Sequence, residues 1–187
     1  RQYGFDPERS PWTFVCNESD TMLWLSDGKR FVRYSPGKNS FVGKPFSVPS
    51  SDIHSLEGLL DRDGNLWILG SLDRGFRYVL YRYRQGELVG QREFTAVFPT
   101  LIGEDGGGDI WIGSSSGLYK FSVRDFPKRE FTHLTTINGL PSLDTGSGVI
   151  DREDSLWVAD AGKAILKLAE HSIGHHFAFS IDHRAGG

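Results

Sequence analysis

The chain has 187 residues, 38% of them hydrophobic and 13% aromatic, with a net charge of −3, and is long enough to bury a substantial core. The charge is spread without blocks, which excludes the basic footprint of a nucleic-acid binder. No apolar run approaches the ~20 residues of a membrane-spanning helix.

Glycine at 23 positions, together with aromatic and β-branched residues, suits an all-β protein with many tight turns. In chain order, the first strands are expected at Thr13–Val15, Leu23–Leu25 and Arg30–Tyr34. The next set runs from Ile53 to Leu60, through Leu66–Leu69 and Arg77–Tyr83, to a last strand after the turn at Gly86. Arg77–Tyr83 alternates with one strongly aromatic face, the pattern of a strand packed between two sheets. A third set takes in Leu101–Ile102, Trp111–Gly113 and Gly117–Ser122. The fourth takes in Val149–Ile150, Leu156–Val158, Ala164–Leu168 and Phe177–Ile181.

These sets are copies of one unit. Trp24, Trp67, Trp111 and Trp157 stand 43, 44 and 46 residues apart, each with an acidic residue six positions earlier: Glu18, Asp61, Asp105 and Asp151. Four short strands per unit of ~44 residues define a β-propeller blade. The expected fold is therefore about four four-stranded antiparallel blades, over approximately 10–50, 51–95, 96–140 and 141–187. The Trp should fill space between blades, and the Asp should hold the preceding turn through backbone N–H groups. Gly64 and Gly108 give that turn its positive φ; Thr21 and Asp154 replace the glycine, so those two turns are expected to be looser or of another type. The first Trp phrase has drifted furthest and the fourth unit ends in a loose Asp-His-Arg-Ala-Gly-Gly tail, so the expectation is an open segment of a longer propeller rather than a closed four-blade ring.

The phrases Asp61-x-x-Gly64-Asn65-Leu66-Trp67-Ile68 and Asp105-x-x-Gly108-x-Ile110-Trp111-Ile112-Gly113-Ser114 resemble the two-component regulator propeller repeat. So does Gly139-Leu140-Pro141, ten residues ahead of Asp151. That resemblance implies an extracytoplasmic, periplasmic or extracellular, ligand-sensing propeller of a histidine kinase sensor. It also implies neighbouring blades or sensor domains and a small-molecule or glycan ligand as partners.

The residues themselves give few chemical leads. His54 with Glu57 is the one tempting acid–base pair, and Asp144 falls in the repeat slot that His54 occupies, thirteen before the Trp, with Pro11 and Phe98 as the other counterparts. His171, His175 and His176 are the candidate metal ligands, set against a reading as solvated loop histidines because Gly174 argues against a helix. Asp61-x-Asp63 lacks the closing Glu of a calcium loop and reads as a turn. Cys16, the single cysteine, reads as a small core residue rather than a reactive thiol. Arg74, Arg77, Arg82 and Arg84 read as the solvent face of a strand, and most aromatic residues as packing between blades. No nucleophile elbow or phosphate loop is present, and no cofactor is expected. The leading reading is a non-catalytic ligand-binding segment; a propeller lyase or hydrolase resembling streptogramin lyase, and a scaffold for protein partners, are the alternatives.

Overall fold

The computed structural model describes residues 12–49, 56–73, 76–160, 164–173 and 176–182. Their strands form four antiparallel sheets of four, each ordered as a simple meander. The first holds β1 (Thr13–Ser19), β2 (Met22–Ser26), β3 (Arg30–Ser35) and β4 (Ser40–Ser47). The second holds β5 (Leu56–Leu60), β6 (Asn65–Ser71), β7 (Arg77–Arg84) and β8 (Glu87–Thr95). The third holds β9 (Thr100–Glu104), β10 (Asp109–Gly113), β11 (Leu118–Ser122) and β12 (Thr132–Leu134). The fourth holds β13 (Ser147–Ile150), β14 (Leu156–Asp160), β15 (Ala164–Ile173) and β16 (His176–Asp182).

The chain divides into two compact units, residues 1–74 with 78–93 and residues 75–77 with 94–187. In the first unit β1 lies beside β5. Val15, Phe31, Leu66, Ile68, Val79, Tyr81 and Tyr83 form its core. Every residue of β6 is buried, and Tyr78 to Tyr81 are buried on both faces of β7, which is what strands enclosed by neighbouring layers require. In the second unit β9 lies beside β13. Trp111, Leu118, Leu134, Leu140, Leu156 and Val158 make its core. Phe121, Phe126 and Phe131 stack among themselves at one side of the third sheet, with Phe94 against Phe131.

One carboxylate organises each of the last three sheets. Asp61 Oδ1 accepts the Asn65 N–H at 2.7 Å, and Oδ2 accepts the indole N–H of Trp67 at 2.9 Å. Asp105 does the same with Asp109 N at 2.9 Å and Trp111 Nε1 at 2.7 Å. Asp151 takes Ser155 N at 2.9 Å and Trp157 Nε1 at 2.6 Å. The Asp thus holds both its turn and the ring two residues beyond it. A cation from the third strand covers the ring: Arg82 at 5.2 Å from the centroid of Trp67, Lys120 at 5.0 Å from Trp111 and Lys167 at 4.9 Å from Trp157. Strand register places them there, since each cation is the direct cross-strand partner of its Trp. Arg82 is therefore part of this arrangement rather than of a solvent face, whereas Arg77 and Arg84 are exposed.

The turns correct one expectation. Asp154 adopts φ 68°, beside 77° at Gly64 and 81° at Gly108, and donates its N–H to Asp151 O at 3.1 Å as those glycines do to Asp61 and Asp105. The fourth turn is therefore of the same type, with Asp in the left-handed position. Its carboxylate compensates by accepting the Gly106 N–H of the third sheet at 2.5 Å. A Cβ on Gly106 would stand 2.1 Å from that oxygen, so the pair needs glycine there. The first turn does differ: Ser19 pairs with Met22 across a tight two-residue connection.

The fourth sheet corrects another. His171 lies in β15 and His176 opens β16, not in a loop, because the two strands run on past a register irregularity between Ala169 and Ile173 until Ile173 faces His176. His175 lies outside the described residues. Among the described residues no three His, Cys, Asp or Glu side chains gather as metal donors. Cys16 packs half-buried against the first core, and burial, with Glu18 nearby, pushes its thiol up to about 12.

Two outcomes test the carboxylate arrangement. Asp105→Ala removes a charge-assisted bond to an indole and a turn acceptor, and should cost about 2–3 kcal/mol in urea titration; Glu18→Ala, which breaks a half-exposed ion pair, should cost less than ~1 kcal/mol. The indole of Trp157, then the Ser155 N–H, hold the Asp151 carboxyl below the usual carboxylate range. A lowered folded value means the contribution is whole well above the unfolded value of about 3.9 and fades as pH falls through the folded one. The loss of stability on acidification below about pH 4 should therefore be shallower in Asp151→Asn than in the parent, read from urea midpoints along a pH series.

Candidate functional site

In the second unit the connections at the ends of the strands away from the Asp turns converge on one hydroxyl-rich network. Gly113 ends β10 where a Cβ would stand 2.2 Å from the carbonyl of Thr145, so the β10–β11 loop lies directly against the β12–β13 loop. The Ser114 carbonyl accepts both the N–H and the hydroxyl of Thr145, at 2.9 and 3.1 Å. Ser114 Oγ donates to Gly117 O at 2.7 Å, which closes the β10–β11 loop on itself. Ser114 and Thr145 are fully buried, so this junction is rigid.

Ser115 ties the exposed groups above it together. Its N–H donates to Val97 O at 2.8 Å, and its hydroxyl donates to Asp144 Oδ1 at 2.8 Å. Asp144 is held further by its own N–H, which donates to Ser142 Oγ at 3.1 Å. Next to Val97 stands Phe98, 74% exposed and with φ 47°. A bulky residue in the left-handed region costs of order 1–2 kcal/mol, and an exposed ring returns little burial energy to offset it. Below, Ser116 Oγ lies 3.2 Å from Tyr119 OH, whose proton goes to Thr95 O at 2.9 Å. His133 stacks on Tyr119 with centroids 4.2 Å apart, and its Nε2 lies 2.7 Å from Ser116 O. That contact ties His133 to a backbone carbonyl rather than to a serine hydroxyl, so no nucleophile–base pair forms here.

Of the residues singled out in the sequence, Asp144 is thus built into an exposed, hydrogen-bonded position. Glu57 is exposed on β5, and its proposed partner His54 lies outside the described residues. Phe98 and Ser115 carry no motif of their own. The slot thirteen before the Trp, shared by Phe98 and Asp144, was the available signal, and Ser115 joins Asp144 to Val97, the neighbour of Phe98.

Comparisons with family models and with curated proteins find no match. Among solved structures, the chain is similar to the extracellular domain of a one-component system protein of B. thetaiotaomicron, with 22% identity and a TM-score of 0.55 over 83% of this chain and 22% of that one. A second structure of that extracellular domain gives 21% identity and a TM-score of 0.53 over 82% of this chain and 21% of that one. The chain is similar too to a catalytically inactive virginiamycin B lyase from Staphylococcus aureus with quinupristin, at 14% identity and TM-score 0.63 over 94% of this chain and 58% of that one. Regucalcin, a calcium-binding protein of Agrobacterium tumefaciens, gives 16% identity and TM-score 0.63 over 90% of this chain and 60% of that one. These likenesses show the fold: the four sheets are β-propeller blades. The chain spans less than two thirds of each of these structures.

If Phe98 is held in strain by its surroundings, removing its Cβ should relieve it. Phe98→Gly is expected to leave stability unchanged or raise it by up to ~1 kcal/mol in urea titration, although a large apolar side chain is lost.

Proposed function

We propose that this chain is a ligand-binding segment of an extracytoplasmic sensor propeller, and that the loops carrying Phe98, Ser115 and Asp144 contact a glycan or other small molecule. The observation that carries this reading is Phe98 itself, an exposed aromatic kept in a left-handed conformation on a rigid hydroxyl network. Strain of this kind gathers at positions that serve binding rather than folding. An exposed aromatic ring and an exposed carboxylate on loops that Ser115 bridges suit a sugar ring, whose C–H face stacks while its hydroxyls donate to the acid. Similarity to an extracellular sensor domain supports the location and the sensing role. No described helix is long and apolar enough to cross a membrane. Binding would pass to the rest of a signalling protein through further blades or sensor domains.

An array of neutral and acidic oligosaccharides, followed by calorimetry, tests the reading. A ligand found there should lose at least tenfold in affinity with Phe98→Ala or Asp144→Ala, while the melting temperature stays within about 2 °C of the parent. A ligand that binds a chain carrying both Phe98→Ala and Asp144→Ala as well as the parent would place the site elsewhere.

A further inference from the structure

The first blade departs from the other three at one chemical point. Glu18 stands in the slot of Asp61, Asp105 and Asp151, but it lies within β1 and turns to Arg33, with Arg33 Nε donating at 2.6 Å and Nη2 making a second, shorter bond. Arg33 is the cross-strand partner of Trp24, as Arg82 is of Trp67. The carboxylate and the cation that elsewhere serve the Trp therefore serve each other. Trp24 is left with its Nε1 buried and without a hydrogen-bond partner, where the other three indoles have an Asp oxygen at 2.6–2.9 Å. A buried donor left unpaired costs about 1–3 kcal/mol.

Beside this ring lies a cavity of about 370 Å³ between the first two blades, lined among others by Trp24, Phe46, Leu66, Tyr83, Arg33 and Lys44. That volume falls at the small end of ligand pockets, ~300–1,000 Å³. The walls are aromatic: Phe46 lies 4.5 Å from Tyr83 and 5.7 Å from Trp24, centroid to centroid. Most polar wall groups are already engaged. Glu18 and Arg33 neutralise each other, and Tyr83 gives its proton to Ser47 O at 3.2 Å. What remains is the indole N–H, which needs an acceptor, the exposed ammonium of Lys44, for which no ion pair occurs among the described residues, and the exposed amide of Gln85 at the rim. A sugar would bring several hydroxyls to walls with few groups to receive them. A flat apolar ring with one carboxylate matches the aromatic walls and offers an acceptor to the indole and a counter-charge to Lys44.

From these observations we infer that the cavity between the first two blades is a binding site for a small aromatic carboxylate, whose oxygen takes the Trp24 indole N–H and whose charge meets Lys44. The inference is independent of the reading of the loops around Phe98, which lie in the other unit.

The test is a titration of the ¹⁵N-labelled 187-residue chain with phenylacetate, with benzyl alcohol and glucuronate as comparison ligands. The Trp24 indole proton should shift saturably with millimolar phenylacetate, while those of Trp67, Trp111 and Trp157 stay in place and report the fold. Trp24→Phe, which keeps the ring and loses the donor, should weaken binding about tenfold or more, in line with a hydrogen bond to a charged group. Lys44→Met should weaken phenylacetate several-fold without the risk of disturbing the core. Absence of a saturable shift at Trp24 overturns the inference. So does equal binding by benzyl alcohol, which would remove the role of the charge, or preferential binding of glucuronate, which would make the site a sugar-acid site.

Discussion

The structure depends on one hydrogen bond repeated three times, from a tryptophan indole to the aspartate six residues before it. The bond crosses from a turn to the strand that leaves it, so a single carboxylate sets the turn, the ring orientation and the start of the strand together. Charge-assisted bonds of this kind are short and directional, and they keep their strength where water is scarce. The cation on the third strand adds a further tie, because the carboxylate draws the indole proton and the ammonium or guanidinium faces the ring. Three strands of each of these three blades are thereby linked through one side chain at the centre.

With the Asp turns fixed in this way, the connections at the other end of the strands are free of that duty. There the second unit carries its hydroxyl network, its exposed Phe98 and its exposed Asp144. A rigid scaffold with variable connections is the usual arrangement for recognition, since the frame bears the cost of holding a loop in an unfavourable shape. The first blade shows the converse. When the carboxylate is lengthened by one methylene and captured by an arginine, the centre of the blade loses its tie and a cavity lies beside the ring.

The blade count, the strand plan and the position of the tryptophans were legible because they repeat, and periodicity reports what packing demands of every copy. The role of Asp as a turn residue was legible for the same reason. Its second bond to the indole was not, because the reach of a side chain to a ring two residues past the turn depends on hairpin geometry. Asp154 was misread from the glycine preference of left-handed positions: the compensating bond to Gly106 comes from another blade, 48 residues away. The run of β15 and β16 through the histidines was missed because cross-strand pairing, not local composition, carries those strands onward. Phe98 fell in a repeat slot but its residue type differs from every counterpart, and Ser115 lies outside the repeated phrase, so neither stood out as a site residue.

The bond between Asp154 and Gly106 bears on how such a chain changes over time. Repeat proteins diversify readily by duplicating, deleting or exchanging units, and that traffic requires each unit to accept any other as its neighbour. Here the fourth turn carries a carboxylate suited to a bare backbone N–H on the blade before it, and the third turn offers glycine at that point. The second blade has Arg62 in the position of Gly106, so its side chain would meet the carboxylate if the fourth blade were set next to it. The third and fourth turns are thus matched to each other, and setting a different blade before the fourth would give up this bond.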